Sequence, residues 1–254
     1  MPKRINIKGE HAIVRTLGLS EQAKMFGLTP PEKKSSLKML QFARAAERIR
    51  KREGRIVKRT HVAKDSIVPA SYSAALSLAN LLFPNNFPKI IATDLKKSNS
   101  VHSNTTYSKQ VILTKESQRG IDSFYEERAQ GNGFIAHHNN SDFSNYYKKN
   151  HLEIQKISDK ISAETGLEIN DGAMNVGITK KGSKSHFVFF ELDGIDFGKL
   201  NNYIQKLPAQ TIQQKIKKRQ AELLFNLLDS QKPKNKILSV HAQQKYVDRS
   251  HSFV

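Results

Sequence analysis

The chain has 254 residues, 37% of them hydrophobic, which is enough for one compact unit or two small lobes. Its 42 Lys and Arg against 23 Asp and Glu give a net charge of +19, which favours polyanionic partners such as nucleic acid, acidic membrane or polyphosphate. The absence of cysteine excludes a disulfide framework, thiolate zinc sites, iron–sulfur clusters and a cysteine nucleophile. The basic start, Met1-Pro2-Lys3-Arg4, is followed by no apolar signal region, and no apolar run is long enough to span a membrane, so the expectation is a soluble, cytoplasmic protein.

From Lys33 to Arg55 the chain carries nine basic and two acidic residues. Leu37, Leu40, Ala45 and Ile49 recur at helical spacing and Gly54 closes the pattern, so a basic helix is predicted here, either a solvated face or an anion-binding one. Arg55 to Val62 alternates apolar and polar residues and is rich in β-branched side chains, which predicts a strand. Ser71 to Phe83 predicts a mostly buried helix stopped by Pro84. Strands are predicted at Lys89–Thr93 and Gln110–Thr114, with the polar stretch Ser98–Ser108 as the loop between them.

A short helix over Ser123–Gln130 and a turn at Gly131-Asn132-Gly133 come next. Phe143, Tyr146, Tyr147, Ile154, Ile157 and Ile161 predict a long helix from Asp142 to Thr165, with Gly166 as its C-terminal cap. Met174–Thr179 and His186–Glu191 form a predicted hairpin around Lys180-Lys181-Gly182-Ser183. Asp196 is placed to cap a helix over Phe197–Ile204, and Ile212, Ile216, Leu223, Leu224, Leu227 and Leu228 predict a last helix over Thr211–Asp229 before a polar, basic tail.

This order resembles the protein-kinase-like superfamily, in the style of its small prokaryotic and aminoglycoside-phosphotransferase-like members. The resemblance covers Arg55 to Leu207 and rests on a strand with an internal lysine, a buried helix, the string Leu82-Phe83-Pro84-Asn85-Asn86-Phe87-Pro88-Lys89, and a hairpin carrying Asn and acids. It implies an α+β, two-lobed kinase-like fold with a small antiparallel-sheet N-lobe over residues 1–120, into which the basic helix 33–54 is inserted. A reduced helical C-lobe with a catalytic-loop-like hairpin follows over 121–230, and a basic tail over 231–254.

The resemblance also implies ATP and Mg²⁺ as cofactors, with a nucleotide and a protein or small-molecule phosphoacceptor as partners. Lys58 looks like the strand lysine that holds nucleotide phosphates. The segment Ile169–Ile178 looks like the catalytic loop, with Asn170 at the position of the base and Asp171 one residue later. Asn175 is similar to the metal-binding Asn, and Glu191 or Asp193 to the metal-chelating acid. Oxygen donors of this kind suit Mg²⁺, and phosphoryl transfer needs charge neutralised and reactants aligned more than it needs covalent chemistry.

The chain departs from that pattern in several places. Asn170 cannot accept a proton, no Glu occurs in Ser71–Phe83 to pair with Lys58, and Gly9, Gly18 and Gly27 do not make a glycine-rich loop. The functional reading is an atypical or degenerate kinase-like protein. Each residue also has a plain reading: Lys58 or Lys64 as a strand-edge lysine, Asn-Asp-Gly as a turn, and Glu191–Asp196 as a strand end and helix cap. The alternative function is a non-catalytic basic protein gripping RNA or DNA phosphates through the Lys33–Arg55 helix and the stretch Lys215–Arg219. His137, His138 and His151 match no zinc-ligand spacing, and neither a G-x-S-x-G elbow nor a GxxxxGK[ST] loop is present.

Overall fold

The computed structural model describes residues 6–8, 12–32, 35–62, 69–93, 103–129, 142–169 and 175–230. These residues form a mixed α+β fold of seven helices and small antiparallel sheets. The tail 231–254, Lys64, the 131–133 turn and the pair His137-His138 lie outside the described residues, as do Asn170 and Asp171.

The first half is a five-stranded sheet in the order β1-β2-β3-β5-β4. Its strands are β1 (Asn6–Lys8), β2 (Ala12–Thr16), β3 (Ile56–Val62), β4 (Ile90–Thr93) and β5 (Ser103–Lys109). Between β2 and β3 stand α1 (Leu19–Met25) and the basic α2 (Ser36–Glu53), packed on each other. Ser35 caps α2 by accepting from Lys38 N at 3.3 Å, and at the other end Gly54, with φ of 77°, donates to the Arg50 carbonyl. The predicted basic helix and the strand after it are therefore both present.

Between β3 and β4 lies α3 (Pro69–Leu82), a helix of small and apolar residues whose Ala74, Ala75, Leu78 and Ala79 are buried. It ends before Pro84, whose ring cannot continue it. The following turn ties the helix to the second half. Asn80 donates to the Phe87 carbonyl at 2.9 Å, and Asn86 donates to the Phe187 carbonyl at 3.1 Å and accepts from Phe189 N at 2.8 Å.

Three expectations are corrected by the structure. The strand predicted at Gln110–Thr114 is no strand, and the polar stretch read as a loop contributes β5 instead. Strand β5 lies between β3 and β4 and is satisfied by its two ladders, so it needs no apolar face; its buried Thr106 and the Thr60–Thr105 hydroxyl pair at 3.4 Å serve in place of one. The apolar 110–114 run is a linker instead. Gln110 N donates to the Arg55 carbonyl and Thr114 N to the Ile178 carbonyl, both at 2.8 Å, so its two ends belong to the two halves. The short helix predicted at Ser123 is longer and begins earlier, as α4 (Lys115–Ala129).

The second half contains α4, α5 (Asp142–Thr165), α6 (Phe197–Gln205) and α7 (Ile212–Ser230) with two strand pairs. β6 (Leu167–Ile169) pairs with β9 (Leu192–Ile195), and β7 (Val176–Lys181) pairs with β8 (Lys184–Phe189) around Gly182-Ser183. One buried cluster runs from α3 through Phe87, Tyr146, Ile154, Val176, Phe189 and Leu200 to Ala221 and Leu228 of α7. Helix α7 packs along α3, and its Lys217 reaches the Leu82 carbonyl at 3.4 Å. Among the described residues no helix is long and apolar enough to cross a membrane.

Candidate functional site

Side chains alternate between faces along a strand, and directly paired residues on neighbouring strands share a face. On β3 this separates two adjacent cations. Lys58 is paired laterally with Arg15 and Tyr107, and its charge helps to hold the Glu21 carboxyl low, so it lies on the same face as the Arg15–Glu21 pair. That pair is bidentate, at 2.6 and 2.7 Å, and Gly18 N adds a third hydrogen bond to Glu21 at 3.0 Å. The Arg15 guanidinium, the Gly18 amide and the nearby charges bring the Glu21 carboxyl down to about 2.

Arg59 is paired with Val14 and Thr106 and takes the opposite face. Its guanidinium Nη1 donates to the Phe190 carbonyl and stands 3.4 Å from Glu191 Oε1. The Arg59 side chain is only 16% exposed and Glu191 32%, so the contact is substantially sheltered from solvent. Position 58, singled out in the sequence as the phosphate-holding cation, is thus not the β3 cation that reaches the acidic motif; its neighbour is.

Glu191 and Asn175 are brought together by the hairpin. Phe190 N donates to the Asn175 carbonyl at 2.7 Å, one residue beyond the β7–β8 ladder that ends at Val176–Phe189. Asn175 is half-buried. The two residues singled out as oxygen ligands therefore sit near one end of one hairpin, and the Arg59 guanidinium contacts that end at the Phe190 carbonyl and Glu191. Asp193 lies two residues beyond Glu191. It is the extra residue of a bulge in the β6–β9 ladder, where Leu192 pairs with Ile169 and Gly194 with Glu168, and it is exposed. Asp196 does what its capping role predicts, accepting from Lys199 N at 3.0 Å at the start of α6.

A buried hydroxyl network holds the Asn175 end of β7. Ser117 Oγ donates to Tyr146 Oη at 3.2 Å and accepts from Ile178 N at 3.0 Å, and Tyr146 Oη donates to the Val176 carbonyl at 3.1 Å. Burial pushes the Tyr146 phenol above its ordinary value; the Ser117 hydrogen bond opposes this and the charge of Glu116 adds to it. Helix α5 can approach α4 this closely because residue 120 is glycine: a Cβ there would lie 2.8 Å from the Tyr146 Cβ. Sequence reasoning placed Tyr146 on the inner face of its helix and gave no sign of this network, because hydroxyl pairing across 29 residues leaves no periodic trace.

As metal ligands, Asn175 and Glu191 are an amide and one carboxylate, and no group of three or more His, Asp or Glu side chains is gathered among the described residues. That donor set does not make a protein cage.

No protein-family model, curated protein or solved structure matches the chain.

Proposed function

We propose that the chain is an atypical or degenerate kinase-like protein that binds ATP with Mg²⁺ and transfers phosphate, if it is active, to a protein or small-molecule acceptor. The observation that carries the reading is the Arg59 contact to Phe190 and Glu191, which joins the centre of β3 to the acidic end of the β7–β8 hairpin. The topology also supports it. A small antiparallel sheet with a helix between its cation-bearing strand and the next is followed by a linker, helices, and paired strands β6–β9 and β7–β8.

In this reading Arg59 supplies the fixed positive charge expected of the strand lysine, on the face that meets the acidic motif. An Arg differs from a Lys there, since its planar fork can hold a carbonyl and a carboxylate together and still present N–H groups to phosphate oxygens. Asn175 and Glu191 would hold Mg²⁺, which neutralises phosphate charge when bound. Helix α3 carries no Glu, so the ion partner that the resemblance places on that helix is replaced by Glu191 from the other half.

The test is a thermal-shift titration of the full chain with ATP, with and without Mg²⁺, on wild type and Arg59→Met. The expected result is a Mg²⁺-dependent rise in melting temperature for wild type and its loss in the variant. No nucleotide-dependent shift in the wild type, at millimolar ATP and Mg²⁺, would overturn the reading.

A further inference from the structure

Helix α2 is amphipathic in an uncommon way. Its inner face, around Phe42, Ala46 and Ile49, packs toward α1, with Ala46 fully buried. The opposite face carries Leu37, Leu40, Arg44, Arg48 and Lys51, at successive steps of three, four, four and three residues. At 3.6 residues per turn these five fall within an arc of about 80°, and they extend about 21 Å along the helix. Leu37 is 64% exposed and Leu40 48%.

The stripe is therefore divided end to end, with two leucines at the helix N-terminal half and three cations at its C-terminal half. The neighbouring cations are already engaged: Arg50 donates to the Leu17 carbonyl at 3.4 Å and Arg52 pairs with Glu53 at 2.7 Å. Among the described residues no carboxylate is paired with Arg44, Arg48 or Lys51, and only Glu47 flanks them on the helix. The stripe is also rigidly mounted, through the Ser35 cap and the 2.7 Å bond from Gln22 Nε2 to the Gly54 carbonyl.

We propose that the outer stripe of α2 docks an acidic amphipathic helix of another protein, which seats two apolar side chains on Leu37 and Leu40 and carboxylates against Arg44, Arg48 and Lys51. Charge selects this occupant. A second copy of the chain carries a net charge of +19 and would bring cations to cations. A nucleic-acid backbone would use the three cations and leave two exposed leucines with no role. A membrane-surface helix buries a continuous apolar face and turns its basic face to the headgroups, whereas here the apolar inner face is used within the protein and the leucines and cations share one stripe. Apolar anchors followed by charge, read at i, i+3 and i+4 spacing, are the signature of helix-on-helix recognition.

The test uses the full-length protein and a fluorescein-labelled 21-residue helical peptide with two leucines a turn apart in one half and three glutamates at three- to four-residue spacing in the other. Anisotropy titrations compare wild type, Leu37→Ser/Leu40→Ser and Arg44→Gln/Arg48→Gln/Lys51→Gln. Each triple or double variant, and each peptide in which Leu becomes Ser or Glu becomes Gln, is expected to weaken binding at least tenfold. A 20-nucleotide polyuridylate and phosphatidylcholine vesicles containing phosphatidylserine are titrated in parallel. Tighter binding of either than of the peptide, peptide binding that ignores the two leucines, or no peptide binding at all would overturn the proposal. Unchanged circular-dichroism melting of both variants, expected for exposed positions, keeps the comparison clean.

Discussion

Arg59 and Glu191 are 132 residues apart in sequence and meet at 3.4 Å, with the same guanidinium also bonded to the Phe190 carbonyl. This contact fastens the middle of the five-stranded sheet to the end of a hairpin in the other half of the chain. Lys58, one residue away, faces the Arg15–Glu21 pair on the opposite side of the sheet.

The two cations should therefore behave differently when removed. Arg59→Ala deletes a sheltered, charge-assisted hydrogen bond and leaves Glu191 and the Phe190 carbonyl without it, a loss of about 1.5–3 kcal/mol. Lys58→Ala should stay within about 0.5 kcal/mol, as at most surface positions. Urea denaturation of both, with a double-mutant cycle of Arg59→Ala and Glu191→Gln, checks this; a coupling energy indistinguishable from zero would show that the pair contributes nothing.

The hydroxyl network makes a second prediction. Tyr146→Phe leaves the Val176 carbonyl without its buried donor and the Ser117 hydroxyl without its acceptor, and should cost about 1 kcal/mol or somewhat more. Gly120→Ala acts on the same contact from the other side by forcing a methyl against Tyr146, and overpacking of this kind costs about 1–3 kcal/mol. Because both act where α4 meets α5, the double variant should lose less than the sum of the two, measured by denaturation midpoints at constant slope.

The Arg15–Glu21 pair predicts a pH dependence. The folded carboxyl is held at about 2, chiefly by the Arg15 hydrogen bonds, against 4.5 for the unperturbed group. A depressed folded value means that the pair stabilises fully above the unfolded value and that its contribution is lost as pH falls from about 4.5 toward 2. The melting temperature of wild type should thus exceed that of Glu21→Gln at neutral pH, and the gap should close across that acidic window. Both side chains are more than one-third exposed, so added salt should also narrow the gap.

What the sequence made legible follows from where each signal resides. Strand β3 was readable because alternation and β-branched residues are local, but its facing was not: Ile56 and Val57 are both buried, and Lys58 and Arg59 are both cations, so only pairing to β2 and β5 decides which cation meets the second half. Strand β5 was unreadable because Ser-Asn-Thr-Thr-Tyr-Ser-Lys has the composition of a loop and becomes a strand through its two neighbours. The run Val111-Ile112-Leu113 misled for the converse reason, since Ile112 is 72% exposed in a linker. Strands β1 and β2 and helix α1 went unread because short elements among scattered glycines carry too few periods to register. Of the candidate site, the spacing of Asn175 and Glu191 around a hairpin was legible because it is local, whereas the Arg59 contact depends on strand facing that no local pattern encodes.

Gly166 was predicted as a helix cap, and the structure makes its identity testable. It has φ of 74°, donates to the Ser162 carbonyl, and accepts from Asp196 N at 2.7 Å, where the end of α5 meets the start of α6. A Cβ at this position would lie 2.7 Å from the Asp196 carbonyl oxygen and 2.8 Å from the Lys199 Cβ. Gly182, in the β7–β8 turn, has a similar φ of 65° but nothing within 4 Å of the same imagined atom. Gly182→Ala should therefore cost only the left-handed backbone penalty, about 1–2 kcal/mol. Gly166→Ala adds to that penalty a clash with backbone that also anchors the α6 cap, raising the loss by about a further 1–3 kcal/mol. Equal denaturation midpoints for the two variants would show that α6 shifts freely away from α5, contrary to the packing described above; a clearly lower midpoint for Gly166→Ala is the expected result.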